Sequence, residues 1–233
     1  MIKVNKAHMR YQMEYGQSRT IMSYSANHAP SNRRFGPLII FNDDFIGPQD
    51  GIGMHPHKNI EIVTYMITGQ NYHKDSTGTE SHLIPGMVQV LSTGTGIVHE
   101  GMNPSETEEE NHLQIWFEPD RLDIPPEHHD FAYDQVKMMN RLLPIVSNRA
   151  WADEKALPIH QDVTIFVSRL EDGHEVTFAQ AAGRSMYVFN LEGELLLNGE
   201  TLLERRDAAQ ITGLHQLSII ARKEAHFMLI DLP

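Results

Sequence analysis

Short apolar runs, separated by glycine, proline, asparagine and aspartate, dominate the chain. Runs of this length with turn residues between them are typical of the strands of a sandwich or barrel, whereas long stretches of helical period are scarce. The pattern therefore predicts an all-β fold. The predicted strands are Leu38–Phe41, Ile60–Ile67, Met87–Leu91, Leu113–Phe117, Val163–Val167, Met186–Leu191, Glu194–Leu197, Gln216–Ala221 and Phe227–Leu232.

One segment near the middle of the chain has helical spacing instead. Apolar residues recur at near-helical intervals from Phe131 to Leu143, and Pro144 ends the pattern, which predicts a short helix. The polar, proline-containing stretch just before it is typical of a linker. We therefore predict a first domain over residues 1–125, a linker with a short helix over 126–144 and a second domain over 145–233.

The two halves of the chain resemble each other. In the first half, Tyr65–Gly69 leads through a glycine-containing turn to Pro85–Val90, and in the second half Tyr187–Gly193 leads through a similar turn to Asp207–Ile211. Both segments have the order strand, glycine turn, hairpin and strand. Internal duplication of one β-barrel unit is the simplest explanation.

Composition and charge limit the classes of function that this chain can have. The chain has 233 residues, enough for one large domain or two smaller ones. It contains 14 histidines but no cysteine, so any metal must be bound by His, Asp or Glu. The formal net charge of −12 disfavours direct binding to nucleic acid or to anionic membranes. No apolar run is long enough for a membrane helix and the start lacks a signal-peptide core, so we expect a cytoplasmic protein.

The most informative segment contains three potential metal ligands. His55, His57 and Glu61 are spaced by two and four residues, so they share one face if the run is extended. His99 follows a glycine-rich turn, where a neighbouring strand can bring it beside the first pair. Three imidazoles and a carboxylate suit iron(II), manganese, nickel, copper or zinc.

Several specific motifs lie around these residues. They are Phe35–Asp44, Met54–Tyr65, His73–Gly78, Pro85–Gln89, Gly94–His99 and Leu113–Phe117. Together these motifs closely resemble the pirin family, as does the Ile159–Asp162 run in the second half. The resemblance implies a bicupin, in which two jelly-roll β-barrel (cupin) domains pack together, the first holding one metal ion, usually iron, and the second being degenerate.

The same resemblance implies a ligand set and exposes one departure from the family. His55, His57 and His99 match the three family histidines, but Gly101 stands where the family has a glutamate, two positions after the third histidine. Glu61 is the preferred substitute, as a ligand or as a residue that orients an imidazole; water is an alternative. Glu100 ranks behind both, because in an extended strand it points to the opposite face unless a bulge turns it inward.

Bacterial members of the family are associated with quercetinase-type activity. The resemblance thus implies a metal-dependent dioxygenase, most simply with iron(II), acting on a flavonol or related phenol and dioxygen, with Glu61 or Glu100 as general base. Phe41, Ile62 and Trp116 are candidates for an apolar pocket, although core packing is the simpler role for each.

Two other functions remain open. Eukaryotic pirins bind transcriptional partners, so this chain is alternatively a non-catalytic metal-dependent binding or regulatory protein with a protein partner, for which Glu106–Glu110 is a candidate acidic surface. The missing glutamate at Gly101 also allows a degenerate cupin without metal. His128 and His129 lie in the predicted linker, where we expect both side chains to be solvated.

Overall fold

The computed structural model describes residues 1–28, 32–150 and 154–233. Over these residues the chain forms antiparallel strands and two 3-10 helices, Ala7–Met9 and Gln135–Met138. None of these helices is long and apolar enough to cross a membrane. The predicted all-β fold is confirmed, and the chain divides into two compact units.

The first compact unit contains residues 11–133 and 157–161, and we call it the N-terminal unit. It is built from two antiparallel sheets, and its aromatic side chains Tyr24, Phe41, Tyr65 and Phe117 are fully buried. In spatial order, the seven-stranded sheet is β12 (Glu127–Ala132), β9 (Met87–Ser92), β6 (Glu61–Thr68), β11 (Glu110–Phe117), β4 (Leu38–Ile46), β3 (Ser18–Tyr24) and β2 (Tyr11–Tyr15), and the four-stranded sheet is β5 (Gly51–His57), β10 (Ile97–Met102), β7 (Asn71–Asp75) and β8 (Glu80–Leu83).

The second compact unit contains residues 1–10, 134–156 and 162–233, and we call it the C-terminal unit. One sheet with a dense core of buried leucine, isoleucine, valine and phenylalanine side chains forms most of it. Its main path is β1 (Ile2–Asn5), β18 (Ala208–Thr212), β16 (Ser185–Leu197), β19 (Gln216–Leu232), β14 (Thr164–Leu170) and β13 (Leu143–Ser147), while β15 (Glu175–Ala179) pairs with β19 and β17 (Thr201–Leu203) with β16.

Two pairs of predicted strands are single long strands in the structure. The segments predicted around Met186 and Glu194 are both part of β16, and the last two predicted strands are both part of β19. The glycine that suggested a turn, Gly193, instead lies in a bulged part of β16, with a φ of 80°. A Cβ at this position would lie 2.0 Å from the carbonyl oxygen of Glu224, so only glycine fits the bulge.

The predicted helix over 131–143 is reduced to one 3-10 turn at Gln135–Met138. The Asp134 side chain caps the start of this turn by accepting a hydrogen bond from the Val136 amide at 3.0 Å. The first residues of the prediction belong to β12 and the last to β13, because pairing with neighbouring strands outweighs helical spacing. The predicted linker over 126–144 therefore contains strand β12 of the N-terminal unit. Residues 1–10, expected in the first domain, lie in the C-terminal unit.

Candidate metal centre

Two neighbouring strands bring three histidines together. His55 and His57 alternate on β5, and antiparallel pairing with β10 places His99 directly opposite His55. The ring centroids are 4.7 Å apart for His55 and His57, 4.5 Å for His55 and His99, and 5.0 Å for His57 and His99. The structure thus brings together the three imidazoles selected from the sequence, with ligand atoms within 4.8 Å of one another.

The ring nitrogens of this cluster are available for a metal. Within the described residues, His57 Nε2 and both ring nitrogens of His99 are buried without a hydrogen-bond partner, whereas His55 Nδ1 contacts the carbonyl oxygen of Gly53 at 2.8 Å. Burial and the neighbouring His55 lower the pKa of His57 to about 4 and that of His99 to about 3. Both rings are therefore neutral at pH 7, the form that binds a metal, and the donor set fits a transition-metal ion.

The turn before β10 requires a glycine. Gly94 has a φ of 45°, and a Cβ there would lie 2.0 Å from the carbonyl oxygen of Ile124. The Thr95 amide donates to that carbonyl oxygen at 2.8 Å, which fixes the turn. The glycine-rich motif of the sequence thus sets where β10 begins and places His99 against β5.

Glu61 does not reach this cluster, so its assignment as a ligand or base is corrected. Its buried carboxylate accepts hydrogen bonds from the Ser92 hydroxyl at 2.7 Å and the His160 backbone amide at 3.1 Å. The chain passes through a left-handed residue, Asn59 with a φ of 53°, before Glu61 begins β6 in the other sheet. Because β5 and β6 are separate strands, the alternation that aligns His55 with His57 does not continue to Glu61.

Position 101 faces the cluster, and position 100 does not. Glu100 lies opposite Lys74 and interacts electrostatically with Lys74 and Tyr72, outside the cavity wall. Gly101 lines the cavity beside the histidines. A Cβ on Gly101 would have the Asn71 side chain, at 3.6 and 3.7 Å, as its nearest neighbour, so the place of the family glutamate is open.

The cluster lies on the wall of a cavity of about 510 Å³, a size typical of small-molecule sites. Trp116 lines it, with its ring centroid 4.7 Å from that of His57, whereas Phe41 and Ile62 are core residues outside it. The cavity wall combines apolar side chains with a few buried polar groups. These residues include Met13, Met22, Ile40, Ile46, Ile52, Asp44, Asn71, His73, Gln89 and His112.

A buried acid and an imidazole, not selected from the sequence, face the same cavity. Asp44 is 6% exposed, and its Oδ1 has no hydrogen-bond partner in the described part of the chain. Its Oδ2 lies 3.6 Å from His112 Nε2, and His112 Nδ1 lies 2.7 Å from Glu110 Oε1. Burial raises the pKa of Asp44 to about 6. Burial alone would lower the pKa of His112, but the hydrogen bond to Glu110 and the charge of Asp44 raise it.

A second group of ligand-type side chains lies behind His99. His73 and Asp75 of β7 meet His128 of β12, with ligand atoms within 4.8 Å of one another. The expectation of a solvated histidine pair is therefore wrong for His128, whose side chain is 5% exposed, compared with 38% for His129. Pairing of β12 with β9 turns His128 inward, which the proline-rich sequence before it did not indicate.

Comparisons with known proteins match both halves of the chain. The family model described as Pirin matches residues 3–117, and that of the quercetinase C-terminal cupin domain matches residues 145–232. The quercetin 2,3-dioxygenase of Escherichia coli K12 is 31% identical, covering 100% of this chain and 99% of its own length. The pirin-like protein of Caulobacter vibrioides is 32% identical, covering 90% of this chain and 89% of its own length.

Solved structures of bacterial relatives also match the chain along its full length. The crystal structure of YhhW from Escherichia coli has a TM-score of 0.94 at 31% identity, covering 100% of this chain and 98% of that one. A second structure, bacterial pirin YhhW in complex with nickel(II), has a TM-score of 0.93 at 30% identity, covering 100% and 99%. Because these matches extend over its full length, the chain belongs to the pirin family of two-domain cupins.

Proposed function

We propose that this chain is a metal-dependent dioxygenase that acts on flavonols or related phenols, as a quercetin 2,3-dioxygenase does. The proposal depends above all on the convergence of His55, His57 and His99 at the wall of one cavity. Among the described residues, His57 Nε2 and both ring nitrogens of His99 have no hydrogen-bond partner. The name of the Escherichia coli relative and the nickel complex of YhhW support it.

His55, His57 and His99 would hold one divalent transition-metal ion. An imidazole donor set accepts iron, nickel, copper and zinc, and manganese where oxygen ligands complete the sphere; we propose iron(II) because dioxygen is the second substrate. The ion, when bound, supplies Lewis acidity and electron transfer toward dioxygen.

Because position 101 is a glycine, the proposed metal ligands carry no negative charge. The three imidazoles are uncharged as ligands, and position 101 contributes no carboxylate, so the site does not offset the charge of a divalent cation. An anionic oxygen of a ligand gains most from such an environment, because charges attract strongly in a partly buried cavity. A deprotonated phenol or flavonol fits this requirement, and Trp116 provides an aromatic surface beside it.

Asp44 replaces Glu61 as the proposed general base. It lines the same cavity as the histidines, has an unpartnered Oδ1 and has a raised pKa, so it can accept a hydroxyl proton near neutral pH. The titratable groups that interact with it are His112, Asp43, Glu110 and Tyr15. His112 lies next to the second oxygen of Asp44 and stabilises its ionised form.

Replacing Asp44 by asparagine is expected to lower kcat/KM about 100-fold or more, the usual contribution of a positioned base. In the unmodified protein kcat/KM should rise with pH through about 6, because Asp44 accepts a proton only when ionised, above its pKa. Steady-state oxygen consumption across a pH series measures both effects. The asparagine variant should lose this pH step.

Asp43→Asn is the matched control, because Asp43 is an adjacent buried acid that does not line the cavity. This variant should keep its turnover and its pH step, with the step moved to lower pH because the charge of Asp43 raises the pKa of Asp44. Metal content and thermal unfolding are measured for both variants, to separate a proton-transfer defect from loss of metal or fold. An Asp44→Asn protein with full metal content and normal kcat/KM would exclude Asp44 as the base.

The proposed activity itself is tested with protein loaded anaerobically with iron(II), and in parallel with nickel(II) or manganese(II). Addition of quercetin in aerated buffer should produce oxygen uptake together with loss of quercetin absorbance and release of carbon monoxide. A metal-loaded protein that binds quercetin and a panel of other phenols without taking up oxygen would contradict the dioxygenase. That result would leave the non-catalytic binding function.

A further inference from the structure

His73, Asp75 and His128 form a compact group at the side of His99 away from His55. The ring centroids of His73 and His99 are 5.3 Å apart, and those of His73 and His128 are 4.8 Å apart. His73 and Asp75 alternate on one face of β7, and His128 comes from β12 of the other sheet of the same unit. All three side chains are at most 5% exposed.

The donor atoms have the spacing of metal ligands. Asp75 Oδ2 lies 3.2 Å from His73 Nε2 and 3.0 Å from His128 Nδ1. Bonds of about 2.0–2.2 Å from a transition-metal ion to nitrogen and oxygen place neighbouring ligands roughly 3 Å apart at near-right angles. An ion can therefore enter between these atoms with little movement of the backbone.

The outer contacts hold each ligand in position. The second oxygen of Asp75, Oδ1, lies 2.8 Å from the Thr77 amide nitrogen and 2.5 Å from the Thr77 hydroxyl. The far nitrogen of His128, Nε2, lies 3.2 Å from Asp130 Oδ2. A carboxylate on the far nitrogen of an imidazole is the usual arrangement around a metal-binding histidine, because it fixes the ring and strengthens the donor.

A bound cation would change which nitrogen of His128 donates a hydrogen bond. His128 lies between two carboxylates, and ionised carboxylates only accept hydrogen bonds. A neutral ring that donates from Nδ1 to Asp75 leaves Nε2 as an acceptor. Nε2 then accepts from the Gln89 amide at 3.3 Å, but the Asp130 oxygen at 3.2 Å is a second acceptor beside it. With a cation at Nδ1, the neutral ring instead donates from Nε2 to Asp130, and the Gln89 amide donates to the Ser81 hydroxyl at 3.3 Å.

We propose that His73, Asp75 and His128 bind a second divalent transition-metal ion beside the three-histidine site. Two imidazoles and one carboxylate suit iron(II) or zinc(II) with open positions for water. His73 and Gln89 line the cavity that also contains His55, His57 and His99, which gives the ion a path from solvent. The second site does not depend on the proposed dioxygenase activity.

The test is a count of zinc bound after incubation with excess zinc and dialysis, measured by elemental analysis. The unmodified protein should hold two equivalents, and His57→Ala and His128→Gln should each hold one. The double variant should hold none. His129→Gln is the matched control, since His129 is the neighbouring histidine on β12 with a half-exposed side chain, and it should hold two.

Crystals of the unmodified protein soaked in zinc give an independent test that needs no variant. Anomalous scattering should show two peaks, one among His55, His57 and His99 and one among His73, Asp75 and His128. A single peak at the three-histidine site overturns the proposal. A His128→Gln protein with the same zinc content as the unmodified protein overturns it equally, because the cluster is then only a hydrogen-bonded support for His99.

Discussion

His57→Ala is expected to remove the metal from the three-histidine site and to lower turnover of a phenolic substrate about 100-fold or more. Loss of a partner in the outer sphere already lowers metal affinity by roughly 10–100-fold, and His57 would be a direct ligand. Only His55 and His99 remain in the variant, and two neutral imidazoles without a carboxylate hold a divalent ion weakly. Metal content by elemental analysis and oxygen uptake with quercetin measure the two effects.

The fold should survive this change. His57 is only partly buried on a strand that retains its backbone pairing with β10, so thermal unfolding should shift by no more than a few degrees. His129→Gln serves again as the control, because it removes a histidine from the same unit without changing this site. Retention of both the ion at this site and normal turnover in His57→Ala would remove the three-histidine cluster from the proposed function.

Gly101→Glu is expected to raise the affinity for a divalent ion at the three-histidine site by about 10–100-fold. Position 101 faces the cavity, lies two residues after His99 on β10 and has room for a Cβ next to Asn71. A glutamate there adds a negatively charged oxygen donor to three neutral nitrogens. Competition for the metal with a chelator of known affinity gives the change in Kd.

Gly101→Gln separates charge from size. Glutamine has nearly the same shape and an oxygen donor but no negative charge, so it should give a smaller gain in affinity than glutamate. The glutamate variant should also bind deprotonated phenols more weakly, because its carboxylate offsets the charge that attracts them. Equal metal affinity in the glycine, glutamine and glutamate proteins would show that a missing carboxylate does not limit this site.

The sequence predicts those parts of the site that lie on unbroken strands. His55 and His57 alternate within β5, and the glycine turn before His99 starts a strand that pairs with β5. The choice of Glu61 fails because one left-handed residue, Asn59, ends the alternation and moves the chain into another sheet. Periodicity carries information only as far as the strand continues.

Other parts of the site depend on pairing between distant strands, which local sequence does not encode. His128 is buried because β12 pairs with β9, across almost 40 residues of chain. The same pairing takes Phe131 and Ala132, the first two residues of the predicted helix, into a strand. Asp44 and His112 meet because β4 pairs with β11. The apolar pattern predicts only the apolar parts of β4 and β11, Leu38–Phe41 and Leu113–Phe117, and neither reaches Asp44 or His112.

The position of β1 has a consequence for biosynthesis. Ile2–Asn5 pairs with Ala208–Ile211, so this strand meets its partner only after about 200 further residues have been synthesised. Contacts over such separations slow folding, because a long loop must close before they form. Until then the growing chain has an unpaired edge strand, a common starting point for association between nascent chains.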